Sequence, residues 1–141
     1  GITRTWGIES FAEWSPSKAF FVSTGYTWAH TEDPDGLQLV RRPAHKASLS
    51  GTWNITPKAR FTTSLLWVGQ RTETPYAYDM YGSQVGKLDS YMVVNLSGSY
   101  KLSGNVELYG RVDNLFNRYY EEAWSYATPG RSAYAGVKVT L

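Results

Sequence analysis

The chain has 141 residues, 42% of them hydrophobic and 16% aromatic, with no Cys and a formal net charge of +2. The lack of Cys excludes disulfides, thiolate metal sites and thiol catalysis, and the scattered basic residues give no electrostatic footprint for nucleic acid. No run of 18 apolar residues occurs, which excludes a transmembrane helix, but the mean hydropathy of -0.40 does not exclude membrane-spanning strands with alternating faces.

Alternating apolar and polar residues predict seven strands of about ten residues, the length that a tilted strand needs to cross a bilayer. In chain order, the predicted strands are 3–14, 19–30, 44–55, 59–71, 90–101, 105–113 and 131–141. Tight turns are predicted at 15–18, 56–58 and 102–104. Longer connections rich in Pro, Gly, Asp and Tyr are predicted at 31–43, 72–89 and 114–130. Short turns on one side and long loops on the other are typical of an outer-membrane β-barrel.

In each predicted strand, a run of four or five alternate residues carries no charge and is predicted to face lipid. Successive strands contribute to it, among others, Ile8, Trp28, Leu49, Leu65, Val94, Leu108 and Val137. The other set is predicted to face a wet interior and holds Glu9, Glu13, Lys46, Arg60, Lys101, Glu107, Arg111, Asp113 and Lys138. A Lys or Arg at the centre of a bilayer costs about 2–4 kcal/mol, so a membrane would enforce this segregation.

A soluble two-sheet sandwich also alternates, so the placement of the aromatic residues distinguishes the two architectures. One group flanks the short turns and comprises Trp14, Phe20, Trp53, Phe61 and Tyr100. A second group, Trp6, Trp28 and Trp67, lies toward the long loops. Two aromatic belts at opposite strand ends are typical of a membrane protein, which favours the barrel.

Motifs for catalysis or metal binding are absent from the sequence. His30 and His45 are the only histidines, and two isolated histidines are more often rim residues than metal ligands. The segment 31–36 lacks the spacing and the final bidentate Glu of a calcium loop. No nucleophile elbow, zinc helix or phosphate loop occurs. We therefore expect no enzyme activity, no metal and no cofactor.

The long connections carry aromatic residues and Arg suited to binding an extracellular small molecule. The candidate contacts are Arg71, Tyr76, Tyr78, Tyr81, Tyr119, Tyr120, Trp124 and Tyr126. The alternative is that these side chains only anchor the loops at the membrane interface.

Two motifs near the end of the sequence carry a family resemblance. The first reads Asp113-Asn114-Leu115-Phe116-Asn117 with Tyr120 three residues on, and the second reads Pro129-Gly130-Arg131. In this order and spacing they resemble the C-terminal signature of TonB-dependent receptors, where the first closes the penultimate strand and the second opens the final one.

The resemblance implies an all-β fold, an antiparallel up-and-down transmembrane barrel of 22 strands of which residues 1–141 supply about the last seven. It also implies a location in the Gram-negative outer membrane, contact with its lipid, and a plug domain outside this segment that engages the TonB energy complex. The implied function is uptake of a siderophore, cobalamin or similar nutrient. The alternative is a complete small outer-membrane barrel or an adhesin-like surface protein without TonB-dependent transport.

Overall fold

The computed structural model describes residues 1–141, and every regular element in it is a strand. The long strands are β1 (Arg4–Ser17), β2 (Phe20–Glu32), β3 (His45–Asn54), β4 (Ala59–Val68), β7 (Tyr91–Lys101), β8 (Val106–Asp113) and β11 (Ser132–Val139). The short strands are β5 (Arg71–Thr72), β6 (Lys87–Leu88), β9 (Glu121–Ala123) and β10 (Tyr126–Ala127). The chain has no helix that is long and apolar enough to cross a membrane.

The seven long strands form one sheet in the order β1-β2-β3-β4-β7-β8-β11, and every neighbouring pair is antiparallel. The predicted meander is therefore confirmed. Its three long connections are L1 (33–44), L2 (69–90) and L3 (114–131). Because each of them follows a strand that runs in the same direction, all three lie at one end of the sheet, and the short turns lie at the other.

The register places the two predicted residue sets on opposite faces of the sheet. Leu49 of β3 pairs with Thr24 and Leu65, and Leu65 pairs with Val94. Directly paired residues of an antiparallel sheet share a face, so the uncharged set is continuous from strand to strand. On the other face, Glu107 pairs with both Lys101 and Lys138, an alternation of charge that favours this register.

No second sheet covers either face of the seven-stranded sheet. The two remaining sheets are the pairs β5-β6 and β9-β10, which belong to L2 and L3. Only 10 of the 141 residues are buried, and five of these are hydrophobic. A sandwich would bury the apolar face of each sheet against the other. The chain is therefore a single wall, and the soluble sandwich is excluded.

The turn predicted at 15–18 is wrong in its position. β1 continues to Ser17, and the chain reverses at Lys18 and Ala19. Between the pairs Trp14 with Val22 and Ser17 with Phe20, β1 holds one more residue than β2, which defines a β-bulge. Pro16 lies in this bulge, where its missing N–H leaves no gap in the ladder of hydrogen bonds. The turns predicted at 56–58 and 102–104 are confirmed.

The long connections are more ordered than predicted. β4 ends at Val68 instead of residue 71, and β2 continues through Thr31 to Glu32. L2 contains the pair β5-β6, and L3 contains the hairpin β9-β10. The pairs are only two or three residues long, which is too short for a recognisable alternation of side chains.

We expect Gly7→Ala to weaken the pairing of β1 with β2. A β-carbon on Gly7 would overlap the Trp28 carbonyl oxygen and lie 2.9 Å from the Ala29 Cα, so the backbone itself must move. The cost is about 1–3 kcal/mol, as for other overpacked sites. Amide hydrogen exchange in β1 and β2 should rise in this variant. Gly51→Ala is the matched control, because its β-carbon meets only the Thr63 methyl at 3.7 Å, and equal effects of both substitutions would contradict the prediction.

Candidate functional site

A buried carboxylate ties the three long connections together. Oε1 of Glu73, in L2, accepts hydrogen bonds from Arg41 Nε in L1 at 2.8 Å and from the backbone N–H of Thr74 at 2.7 Å. Its Oε2 accepts a hydrogen bond from the backbone N–H of Trp124 in L3 at 2.8 Å. The Glu73 side chain has no exposed surface, so these donors replace the water that a carboxylate would otherwise bind.

The environment of Glu73 keeps its carboxyl group ionised. Burial by itself would raise the pKa, but the backbone N–H groups of Thr74 and Trp124 and the Arg41 guanidinium together hold the pKa of Glu73 below its ordinary value. A lowered pKa in the folded state means that the carboxylate stabilises the fold above its ordinary pKa. That contribution is lost as the pH falls through the lower, folded value.

Arg71 and Tyr120 pack around Tyr91 beneath L2 and L3. The Tyr91 and Tyr120 rings are stacked with their centroids 4.2 Å apart, and Arg71 Cζ lies 4.9 Å from the Tyr91 centroid. Arg71 Nη2 also donates to the Asp89 carbonyl at 3.0 Å. Arg71 is only 3% exposed, so its guanidinium supports the loops from below and does not reach their outer surface. Val68 and Val93 complete this small core on the charged face of the sheet.

A cavity of about 300 Å³ opens between L2 and L3. Its aromatic wall consists of Tyr91, Tyr119, Tyr120 and Trp124. Charged side chains of both signs also line it, namely Lys87, Asp89, Arg118 and Glu121. Flat aromatic surfaces beside a few charged groups are a common composition for a site that binds a small organic molecule. Three of the predicted contact residues meet here.

Four further predicted contact residues, all tyrosines, lie on the outer surface of the loops. Tyr76 and Tyr81 in L2 are 85% and 86% exposed, and Tyr78 and Tyr126 are also exposed. The Tyr78 carbonyl accepts the Trp124 indole N–H at 3.1 Å, which joins this part of L2 to L3. The structure thus divides the predicted residues into a cavity group, an exposed group and the buried Arg71.

The first sequence motif is a bonded turn that leaves β8. Asn114 is buried with a φ of 51°, a left-handed conformation that Asn tolerates better than most residues. Its Nδ2 donates to the carbonyls of Arg118 at 2.9 Å and Pro129 at 3.3 Å, and its Oδ1 accepts the Arg118 N–H at 2.8 Å. Its own N–H donates to Asn95 Oδ1 at 2.8 Å, which fixes the turn to β7.

The second motif closes onto the first. Asn117, with a φ of 51°, accepts the Arg131 N–H on its Oδ1 at 2.9 Å. A β-carbon on Gly130 would lie 2.8 Å from the same oxygen, which is why a residue without a side chain stands there. The two motifs therefore form one clasp at the base of L3, defined here as residues 113–118 with 129–131.

The remaining motif residues have separate surroundings. The Leu115 N–H donates to the Val94 carbonyl at 2.8 Å and so extends the attachment of L3 to β7. Phe116 is exposed and lies near Trp67 and Met92, on the uncharged side of the sheet. Asp113 Oδ2 forms an ion pair with Arg111 Nε at 3.3 Å. These contacts are structural, so this part of the motif marks how L3 is built, whereas its Tyr120 also lines the cavity.

The two histidines are engaged by different partners. His30 Nε2 is 3.1 Å from Glu32 Oε1, and its ring lies 4.4 Å from the Trp6 ring. His45 Nδ1 is 2.7 Å from the Tyr26 hydroxyl. No group of three or more His, Cys, Asp or Glu side chains in the chain is placed to hold a metal ion.

Glu73 and the two cationic residues of the cavity, Lys87 and Arg118, were not predicted from the sequence. The sequence around Glu73 does not indicate its role, because its partners are 32 and 51 residues away along the chain. The sequence does indicate the turns at Asn114 and Asn117, since Asn is enriched in left-handed turns.

Residues 1–115 match the family model described as TonB dependent receptor-like, beta-barrel. The chain is 26% identical over 121 residues to the ferric enterobactin receptor of Pseudomonas aeruginosa, covering 82% of this chain and 15% of that protein. It is 31% identical over 133 residues to the vitamin B12 transporter BtuB of Photobacterium profundum, covering 92% of this chain and 20% of that protein. The chain therefore spans one fifth or less of the length of these curated relatives.

Solved structures of the same kind share the fold. The ferripyoverdine receptor of the outer membrane of Pseudomonas aeruginosa superposes with a TM-score of 0.82 at 17% identity, covering 97% of this chain and 19% of that one. The closed form of the ferric-catecholate import receptor Fiu from Escherichia coli superposes with a TM-score of 0.81 at 18% identity, covering 97% of this chain and 21% of that one. The seven-stranded sheet thus has the fold of part of a receptor barrel.

We expect Asn114→Ala to destabilise the clasp in two separable ways. It removes the hydrogen bonds of a buried amide, at a cost of about 1–3 kcal/mol, and it places Ala in a left-handed conformation, at a further cost of about 1 kcal/mol. Asn114→Gly loses the same hydrogen bonds without the backbone strain. Proteolysis of L3 should therefore be fastest for Ala, slower for Gly and slowest for the unmodified chain, and any other order would contradict this account of Asn114.

Proposed function

Since residues 1–115 match its family model, the chain belongs to the TonB-dependent receptors, and we propose that it forms barrel wall and loops of an outer-membrane receptor that imports a scarce nutrient. The prediction that it is not an enzyme is confirmed, because the named relatives are receptors and transporters. Family membership also favours transport over an adhesin-like role.

The observation that carries the proposed location is the face shared by all seven long strands, on which the only Lys, Arg, Asp or Glu residues are Arg4 and Glu32, paired with each other at the loop end of β1 and β2. Leu49, Leu65 and Leu108 on this face are exposed or half-exposed to solvent in the isolated chain. A wide apolar surface of this kind is stable in lipid and unfavourable in water. It supports insertion in the outer membrane of a Gram-negative bacterium, with the long loops on the extracellular side.

The charged face of the sheet supports the proposal that the interior of the barrel is filled. Besides its charges, it carries Phe11, Tyr109 and Tyr134, and Phe11 is 85% exposed in the chain alone. In the proposed receptor these residues would meet a plug domain, which lies outside the 141 residues and would engage the TonB energy complex. The two motifs of the clasp support assigning residues 1–141 to the C-terminal part of a 22-stranded barrel.

The proposed ligand site is the cavity between L2 and L3. Its aromatic wall offers flat apolar contact, and Lys87 and Arg118 can pair with anionic groups of a ligand. Relatives with 26% to 31% identity include both a ferric enterobactin receptor and a vitamin B12 transporter. The proposed ligand is accordingly a siderophore, cobalamin or a similar large nutrient. Arg71 would support this site and not touch the ligand.

We expect the cavity aromatics to contribute more to binding than the exposed tyrosines. In the receptor that carries this chain, Tyr119→Ala with Trp124→Ala should weaken binding of its ligand about tenfold or more, because both rings line the cavity and the half-buried Trp124 can act as a hot spot. Tyr76→Ala with Tyr81→Ala should have a smaller effect, since both rings lie outside the cavity and are exposed. Binding of a ferric siderophore and of cobalamin to whole cells at matched surface expression would measure both. Unchanged affinity in both double variants would assign binding to other parts of the receptor.

Two adjacent residues of β4 test the proposal that the uncharged face of the sheet contacts lipid. Leu65 lies on the uncharged face and Ser64 on the charged face, near the middle of the strand. We expect Leu65→Arg to cost about 2–4 kcal/mol of stability in lipid vesicles, whereas Ser64→Arg should be tolerated. Reversible unfolding of the receptor from vesicles measures the difference. A larger cost for Ser64→Arg would reverse the assignment of the two faces.

A further inference from the structure

Glu73 is the one side chain in the chain whose hydrogen bonds reach both L1 and L3. We propose that it is a positioning residue that joins the three long loops into one body and holds the L3 wall of the cavity against L2. The joining is inferred from the contacts of Glu73 alone, whereas its importance for ligand binding rests on the proposed function.

The two oxygens of the carboxylate serve different loops. Oε1 accepts from Arg41 of L1 and from the adjacent Thr74 N–H, whereas Oε2 accepts only from the Trp124 N–H of L3. The hydrogen bond to L1 and the hydrogen bond to L3 can therefore be removed separately. The backbone of L1 has a further bond to L2, from the Arg41 N–H to the Thr72 carbonyl at 2.7 Å, so L1 remains attached to L2, but less firmly, when the Arg41 side chain is lost.

Trp124 forms two hydrogen bonds with L2, and the one from its backbone N–H to Glu73 is the stronger. The second one, from the Trp124 indole to the Tyr78 carbonyl, is 3.1 Å long and exposed to water. The Glu73 bond is 2.8 Å long, has a charged acceptor and excludes water, because the side chain is fully buried. Hydrogen bonds to charged groups contribute more than neutral ones, and solvent competes least with buried ones. Since Trp124 forms part of the cavity wall, Glu73 determines where that wall stands.

The decisive substitution is Glu73→Gln, which preserves the size of the side chain. The carbonyl oxygen of Gln can occupy the Oε1 position and accept from both Arg41 and Thr74. Its NH₂ group then faces the Trp124 N–H, and two donors cannot bond to each other. Arg41→Asn makes the complementary change, because it removes the guanidinium while Asn tolerates the φ of 60° at this position. Glu122→Gln is the matched control, since Glu122 is an exposed residue of L3 whose carboxylate forms no hydrogen bond.

Amide hydrogen exchange in the purified receptor that carries this chain distinguishes the variants. We expect Glu73→Gln to speed exchange at Trp124 about tenfold or more and to leave L1 nearly unchanged. Arg41→Asn should speed exchange in L1 and leave Trp124 protected. Glu122→Gln should change neither loop. This pattern of separate effects would not arise from a general loss of stability.

Unchanged exchange at Trp124 in Glu73→Gln, or equal increases in Glu73→Gln and Glu122→Gln, would overturn the proposal. If Glu73→Gln fails to fold, exchange at the Trp124 amide can be measured in the unmodified receptor instead. Fast exchange there would also overturn the proposal.

Binding of a ferric siderophore and of cobalamin tests the positioning role. Faster exchange with weaker binding supports that role, and faster exchange with unchanged binding overturns it. If the variant with Tyr119→Ala and Trp124→Ala also binds normally, the cavity assignment itself has failed and not the joining by Glu73.

Discussion

The register of the seven long strands is the constraint on which the rest of the structure depends. Side chains alternate strictly along a strand, so a slip of one residue would move Lys46 or Arg60 onto the apolar face. A Lys or Arg on that face costs about 2–4 kcal/mol at the centre of a bilayer and less toward its edges, where these two residues lie near the ends of their strands. The β-bulge near Pro16 is placed where the strand has nearly ended, so the extra residue does not displace Glu9 or Glu13 from the charged face.

Above the sheet, burial of a few polar groups replaces the apolar core that a small domain would have. Glu73, Arg71 and Asn114 are all buried, and each holds backbone groups of a loop or of the sheet. A buried charge without partners is costly, so the Glu73 carboxylate depends on the donors that the three loops supply. Each of these hydrogen bonds links Glu73 to one loop and can be lost separately.

The strands and their faces could be predicted because a period of two residues is a local property of the sequence. The first turn could not, since Ser15-Pro16-Ser17 has the composition of a turn, and only the pairing of Ser17 with Phe20 shows that the strand continues. Tyr119, Tyr120 and Trp124 were singled out because aromatic residues in long loops suggest binding, and the structure brings them to one cavity, while their role in binding stays a prediction. Glu73 was missed, and Arg71 was expected at the loop surface, because burial and contacts across 18 to 51 residues decide where these two side chains lie.

Backbone hydrogen bonds attach L3 at two places, its base and its tip. At its base, Asn114 and Leu115 are bonded to Asn95 and Val94 of β7, and the clasp returns the chain to β11. Near its tip, the Trp124 N–H is bonded to Glu73, and this bond involves the backbone and not the indole ring. Both attachments persist when an exposed cavity side chain such as Tyr119 is exchanged, whereas Tyr120 is stacked on Tyr91 and belongs to the core below. The residues that build the base of L3 and those that line its cavity are thus separate except at Arg118 and Tyr120.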